Sequence, residues 1–170
     1  MVRAVLSLGA NLGDRAATLD EAITALGGEV RARSGLFETP PWGPVPQPPY
    51  LNAVVVVNGD RDAAGWLARA HELEQAAGRT REVRWGARTL DVDVVTATDD
   101  DGATITSGDP VLTLPHPRAH ERAFVLVPWA SIEPGAELPG HGPITDLLAA
   151  LPAGEVEAVV AWEGDRGTGP

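Results

Sequence analysis

Two aspartates two positions apart, Asp91 and Asp93, follow directly on four arginines, Arg79, Arg81, Arg84 and Arg88, within the segment Gly78–Val95. Leu90–Val95 reads as a strand because β-branched residues alternate with the two acids. A side-chain period of two sends both carboxylates to one face and Val92 and Val94 to the other. Carboxylates about 7 Å apart repel, and Asp is depleted in strands, so the pair asks for cations. Paired metal ions on a phosphate chain meet that need, and an arginine-rich loop beside them supplies forked donors for phosphate oxygens. The competing reading is the wet face of an ordinary antiparallel strand beside a solvated basic loop. The coincidence of acids and arginines in one short stretch favours the metal–phosphate site.

The elements that must position this stretch belong to a chain of 170 residues, enough for one domain with a real core. We expect a single domain over residues 1–162 and a frayed tail over 163–170. All 13 basic residues are arginine and the net charge is −11. Such a chain is a poor non-specific nucleic-acid binder, and four arginines crowded into one loop suit a small polyanion. The absence of lysine excludes a Gly-Lys-Ser/Thr phosphate loop, and the absence of cysteine removes disulfides and thiolate metal sites. Neither end has the pattern of a signal peptide, and the apolar runs Ala53–Val57 and Ala123–Ala130 are too short to span a bilayer. A cytoplasmic monomer, bound to neither membrane nor nucleic acid, is the expectation.

Val2–Leu8 reads as a buried strand, followed by a glycine-bearing turn and a helix capped by Asp14 and running to Leu26, where Gly27-Gly28 stops it. Glu29–Thr39 is expected as a second strand. Thr39–Pro49 holds six prolines in eleven residues and must be a loop; a polyproline ligand is the alternative. Tyr50–Asn58 is the third strand, with Tyr50 and Asn52 on one face. Asp62 caps a helix through Ala77, with Trp66, Leu67, Ala70, Leu73 and Ala77 as its buried stripe. After the aspartate strand, Asp99–Gly102 is a solvated turn without a metal. Ala103–Thr106 and Val111–Leu114 are expected as short strands around Ser107–Pro110, and a helical Ile144–Leu151 and a strand Glu155–Trp162 close the chain. The order strand–helix–strand–strand–helix–strand predicts an α+β domain with a ferredoxin-like βαββαβ core and additional C-terminal elements.

Arg84-Trp85-Gly86-Ala87-Arg88-Thr89-Leu90-Asp91-Val92-Asp93 resembles the R-W-G-P-R-T-L/I-D-L/I-D signature of the 6-hydroxymethyl-7,8-dihydropterin pyrophosphokinase family. The resemblance continues in Gly9–Asp14 (family G-S-N-L-G-D), in the Thr39-Pro40-Pro41 loop, in Tyr50-Leu51-Asn52, and in Pro115-His116 through Arg122 and Phe124. It covers roughly residues 4–130 in the family's order. Departures are Ala87 for proline, Ala10 for serine, and a shortened Arg79–Arg84 interval, which leaves open which arginine reaches which phosphate.

What the resemblance implies is the same core and transfer of pyrophosphate from the co-substrate ATP to 6-hydroxymethyl-7,8-dihydropterin. It implies two Mg²⁺ held by Asp91 and Asp93, and catalysis by these two with Arg79, Arg81 and Arg88. ATP would be held by Glu74, Arg79, Arg81, Trp85, Arg88, Leu112, Thr113, His116 and Arg122. The pterin would meet Thr39, Pro40, Pro41, Trp42, Tyr50, Asn52, Trp85, Asp91 and Phe124. Taken without the resemblance, Glu74 reads equally well as an exposed helical carboxylate and His116 as a loop residue fixed between prolines. The rival functions are a ferredoxin-like RNA-binding module, opposed by the few aromatics and the negative charge, and a palm-like nucleotidyl cyclase, which has no use for Tyr-Leu-Asn or Pro-His-Pro.

Overall fold

Val54–Val57, the most apolar run of the sequence, is fully buried because both faces of the strand that carries it are covered. The computed structural model describes residues 1–41, 47–78 and 89–164. Its main sheet is built from β1 (Val2–Ala10), β2 (Val30–Arg33), β3 (Phe37–Thr39), β4 (Tyr50–Gly59) and β5 (Asp91–Thr98), all paired antiparallel. The order across the sheet is β3–β4–β1–β5, with β2 beside the other half of β4. Helices α1 (Arg15–Leu26) and α2 (Ala63–Gly78) cover one face. Leu19, Ile23, Leu26, Trp66, Ala70 and Leu73 pack there on the inward residues Leu6, Leu8, Val55, Val57, Val92 and Val94.

Local chemistry fixes these helices where the sequence marks them. The Asp14 carboxylate accepts from the Ala17 amide at 3.1 Å, and Gly27 ends α1 at φ +57°, a backbone angle that favours glycine. Asp62 accepts from the Gly65 amide at 2.7 Å at the start of α2. The indole Nε1 of Trp66 donates to the Val2 carbonyl at 3.0 Å, tying α2 to the first strand.

The other face is covered only in part. The hairpin β6 (Ser107–Asp109)–β7 (Leu112–Leu114) precedes α3 (Ala123–Ile132). Then come β8 (Glu137–Leu138) paired with β9 (Gly142–Pro143), α4 (Ile144–Ala150), α5 (Ala153–Glu157) and β10 (Val160–Ala161), which joins the sheet beside β3. Val125, Leu126, Trp129, Leu138 and Ile144 bury Val5, Val54, Val56 and Val95. The His120 ring stacks on His141 at 4.1 Å, so the segment before α3 leans on the β8–β9 turn.

Three expectations about elements are corrected. Glu29–Thr39 is not one strand: it breaks between Arg33 and Phe37, where Ser34 donates its amide to the Val54 carbonyl and accepts the Val54 amide on its hydroxyl at 2.9 Å. Ser107–Asp109 is a strand rather than a turn, and Ala103–Thr106 contributes only the bridge of Thr104 to Thr98. Glu155–Trp162 begins as the helix α5, leaving Val160–Ala161 as its strand. Much of the expected tail, 165–170, lies outside the described residues.

Candidate active site

Ser7 and Gly9 on β1, Tyr50 and Asn52 on β4, and Asp91 and Asp93 on β5 all project to the incompletely covered face. Together with Thr39, Glu74, Arg122 and Phe124 they line one cavity of about 270 Å³. Register makes the arrangement: Gly9 sits between Asn52 on one side and Asp91 on the other, and Ser7 sits opposite Asp93. Thr39 pairs with Tyr50 at the end of β3. Buried Asn52 donates through Nδ2 to the Thr39 hydroxyl at 2.9 Å, and its Oδ1 lies over Gly9, where a Cβ would come within 2.9 Å of it. Only glycine at that position lets the amide reach across β1.

Arg122, immediately before α3, places its guanidinium 3.7 Å from the Asp93 carboxylate and 5.5 Å above the Phe124 ring. The two strand aspartates therefore share their space with a cation already. Among the described residues no third His, Cys, Asp or Glu joins them in a group able to hold a metal. That donor set fits a hard divalent cation that completes its shell with phosphate oxygens and water, not a closed protein cage.

A second cavity, about 260 Å³, runs along the outer edge of β5 and shares Asp93 and Glu74 with the first. Its walls include His71, Leu112, Thr113 and His116. Glu74 is neither a free surface carboxylate nor a loose end of α2, because it accepts the Val92 amide at 3.0 Å and so satisfies the open edge of β5. His116 is placed by a β-bulge. The β1–β5 register slips at Val5/Leu6, leaving Val95 as the extra residue, and the Val95 carbonyl accepts the His116 amide at 2.9 Å. Burial pushes the His116 imidazole below its usual range; Asp93 pulls the other way, and Arg122 and Arg118 add to the depression. The Arg118 amide donates to His116 Nδ1 at 3.2 Å, so the neutral ring carries its proton on Nε2.

Among the expected site residues, Thr39, Tyr50, Asn52, Asp91, Asp93, Glu74, Arg122 and Phe124 thus meet around one cavity, and Leu112, Thr113 and His116 line its neighbour. Pro40 and Pro41 line an adjoining cavity of about 220 Å³ that shares Thr39 and Phe124 with the first. Trp42, Arg79, Arg81, Trp85 and Arg88 lie outside the described residues, as does Arg84.

Residues 5–134 match the profile of the family described as 7,8-dihydro-6-hydroxymethylpterin-pyrophosphokinase (HPPK). The chain belongs to this family. A 2-amino-4-hydroxy-6-hydroxymethyldihydropteridine pyrophosphokinase of Mycobacterium leprae is 49% identical over 168 residues, covering 94% of this chain and 88% of the relative. Its counterpart in Mycobacterium tuberculosis is 44% identical over 167 residues, covering 94% and 89%. That of Methylorubrum extorquens is 42% identical over 163 residues, covering 94% and 99%. In three dimensions the chain resembles a Plasmodium falciparum HPPK-DHPS crystal structure with STZ-DHP, at a TM-score of 0.64 and 14% identity. That match covers 87% of this chain and 45% of the larger one, so the HPPK chain spans less than half of it and the likeness is one of fold.

Two cavity-lining residues of this HPPK chain lie outside the expected site: Ser7 stands in no motif, and Gly9, which opens the Gly9–Asp14 motif and reads as a turn glycine, lies in β1 between Asn52 and Asp91. Their signal was present but faint: a serine and a glycine at alternate positions interrupt the apolar strand Val2–Ala10 on one face only. The stem returning from the proline-rich loop is also tied down in a way no motif announces. Asn11 Nδ2 donates to Gln47 Oε1 at 3.1 Å, and Arg15 donates to the Pro49 carbonyl at 2.8 Å and to Glu38 at 3.1 Å.

Proposed function

We infer that this HPPK chain transfers pyrophosphate from ATP to the hydroxymethyl group of 6-hydroxymethyl-7,8-dihydropterin, a step of folate biosynthesis, and that the two cavities meeting at Asp93 are where it does so. The observation that carries the site is the register that sets Asn52, Gly9 and Asp91 side by side, with Ser7 and Asp93 in the next row. It joins a planar, amide-lined recess to a pair of carboxylates on one surface. We read the strand order β3–β4–β1–β5 with crossover helices α1 and α2 as the ferredoxin-like split-βαβ arrangement, with α3 onward as the addition.

In this reading the pterin lies over Gly9 between Tyr50 and Phe124, and Asn52, whose amide carries both donors and an acceptor, reads its edge. Asp91 and Asp93 would hold two Mg²⁺, a hard charge that would stabilise phosphate oxygens and favour the deprotonated form of the attacking hydroxyl. Arg122 moves from Asp93 to the phosphates as these arrive, a short transfer because Asp93, its partner at 3.7 Å, lines both cavities. His116, neutral with its proton on Nε2, donates a hydrogen bond to a phosphate oxygen without adding charge. Glu74 holds the β5 edge that forms the wall against the nucleotide. Arg79, Arg81 and Arg88 neutralise the charge moving onto the leaving group; positioning and electrostatics are most of what phosphoryl-type transfer requires.

The hydroxyl attacks the β-phosphorus, the bond from that phosphorus to the bridging oxygen of the α-phosphate breaks, and AMP leaves. Incubation with Mg²⁺, ATP and the pterin should therefore yield AMP one-for-one with pterin pyrophosphate by chromatography. Pterin-dependent ADP would mean attack at the γ-phosphorus and would overturn the assignment; cyclic nucleotide with free pyrophosphate would indicate a cyclase.

A further inference from the structure

Ser7 is a polar side chain in an apolar place. It is 6% exposed, with Val5 preceding it on its own face of β1 and Val54 beside it on β4, both fully covered. Among the described residues its hydroxyl has no hydrogen-bond partner, whereas the buried polar neighbours Thr39 and Asn52 bond to each other. The hydroxyl opens onto the cavity, where solvent, a ligand or a rearranged neighbour can supply its partner. Its side chain faces the cavity, directly opposite Asp93 across the β1–β5 pair, at the roughly 5 Å Cβ separation of opposed residues.

We propose that Ser7 is a positioning residue for Asp93: its hydroxyl donates to one carboxylate oxygen and leaves the other to the divalent cation. This rests on the metal reading above. The present partner of Asp93 is Arg122, at 3.7 Å. Once phosphates draw Arg122 away, the half-exposed carboxylate loses the group that orients it. Among the described residues on the surrounding strands, Ser7 is the donor on the same face and in the same row. The Ser7 proton stays on its oxygen throughout. An oriented ligand raises cation affinity without altering the pterin recess, because Asn52, Gly9 and Tyr50 stand in other rows of the sheet.

The test uses Mn²⁺ as a paramagnetic probe, titrated into the full chain with a non-hydrolysable ATP analogue and followed by electron paramagnetic resonance. Pterin affinity and melting temperature are measured alongside. Ser7→Ala should raise the Mn²⁺ dissociation constant about tenfold, the usual effect of losing a partner that orients a metal ligand, with pterin affinity unchanged. Ser7→Thr, which keeps the hydroxyl, should return Mn²⁺ binding to within about twofold of the parent, and it decides the matter if the alanine variant melts too low to titrate. Mn²⁺ affinity unmoved in Ser7→Ala, or still weak in a folded Ser7→Thr, overturns the proposal and leaves Ser7 a space-filling residue. A parent protein that binds no Mn²⁺, or binds it undiminished in Asp93→Asn, overturns the metal reading itself and Ser7's role with it.

Discussion

Asp93 is the residue on which both cavities converge, and its environment sets what its loss should do. It faces Arg122 across 3.7 Å with half its side chain in solvent, an arrangement that contributes little to stability. Asp91→Asn and Asp93→Asn should each lower turnover by on the order of a thousandfold, and Asp93→Asn should leave the melting temperature unchanged or slightly raised. Near-normal turnover at saturating Mg²⁺ in both variants would remove the carboxylates from the mechanism. His116 makes a different prediction, in pH. Its folded-state pKa lies below the ordinary value of 6.5. As pH falls through 6.5 the unfolded chain takes up the proton first, so stability is lost from there down to the folded pKa and is fully present above. The urea midpoint of the parent minus that of His116→Gln should therefore decline between neutral and mildly acidic pH. A difference that stays flat would mean burial is not what depresses this imidazole.

Elements matter here through the way strands lie against each other. β1 is the middle of the site, yet Gly9 gives it no side chain, and the space is taken by Asn52 from β4. Gly9→Ala would put a methyl 2.9 Å from Asn52 Oδ1. The amide must then turn, at the expense of its bond to the Thr39 hydroxyl at 2.9 Å. Loss of that one preorganised contact should weaken pterin binding roughly tenfold, about 1–2 kcal/mol, and leave nucleotide binding within about twofold because the cavity proposed for the nucleotide is walled by β5, α2 and β7. Isothermal titration of the two ligands separates these outcomes. Equal losses for both would mean that β1 as a whole had been displaced. The bulge at Val95 acts at the same scale. By adding one residue to β5 it frees a carbonyl for His116 and turns Thr96 and Thr98 to the face that Asp91 and Asp93 occupy further along.

Among the described residues the molecule is a sheet with one face closed by α1 and α2 and the other closed over only part of its length. The exposed half carries the first cavity, the second runs along the β5 edge beside α2, and Asp93 and Glu74 belong to each. Ligands that share walls should not bind independently. A non-hydrolysable ATP analogue with Mg²⁺ should tighten pterin binding by about fivefold or more, and the pterin should tighten the nucleotide by the same factor. Fluorescence titration of the pterin with and without the analogue measures this, and identical affinities would show that the two cavities are energetically separate. The net charge of −11 gives the nucleotide no general attraction, so its capture falls to local cations, of which Arg122 lines the first cavity.

Much of this was legible in the sequence because it depends on short-range periodicity and capping. Asp14 and Gly27 bounded α1, Asp62 opened α2, and the period of two placed Asp91 with Asp93 and Tyr50 with Asn52. The family was legible too, since its motifs are contiguous and keep their order. What only the tertiary structure decided is how those motifs meet. Strand order and register are settled by which faces can be buried together, a property of the packed sheet and not of any one strand. That is why Ser7 lines the candidate site although it stands in no motif, and why Gly9, expected in a turn, does so from within β1. It is why Glu74 proves to be the partner of the Val92 amide, and why His116 reaches its cavity from a bulge that no local pattern marks. The division between Ser34 and Leu36 that splits the expected second strand has the same origin. A hydroxyl replaced a backbone acceptor there, and only the neighbouring Val54 could make that exchange worthwhile.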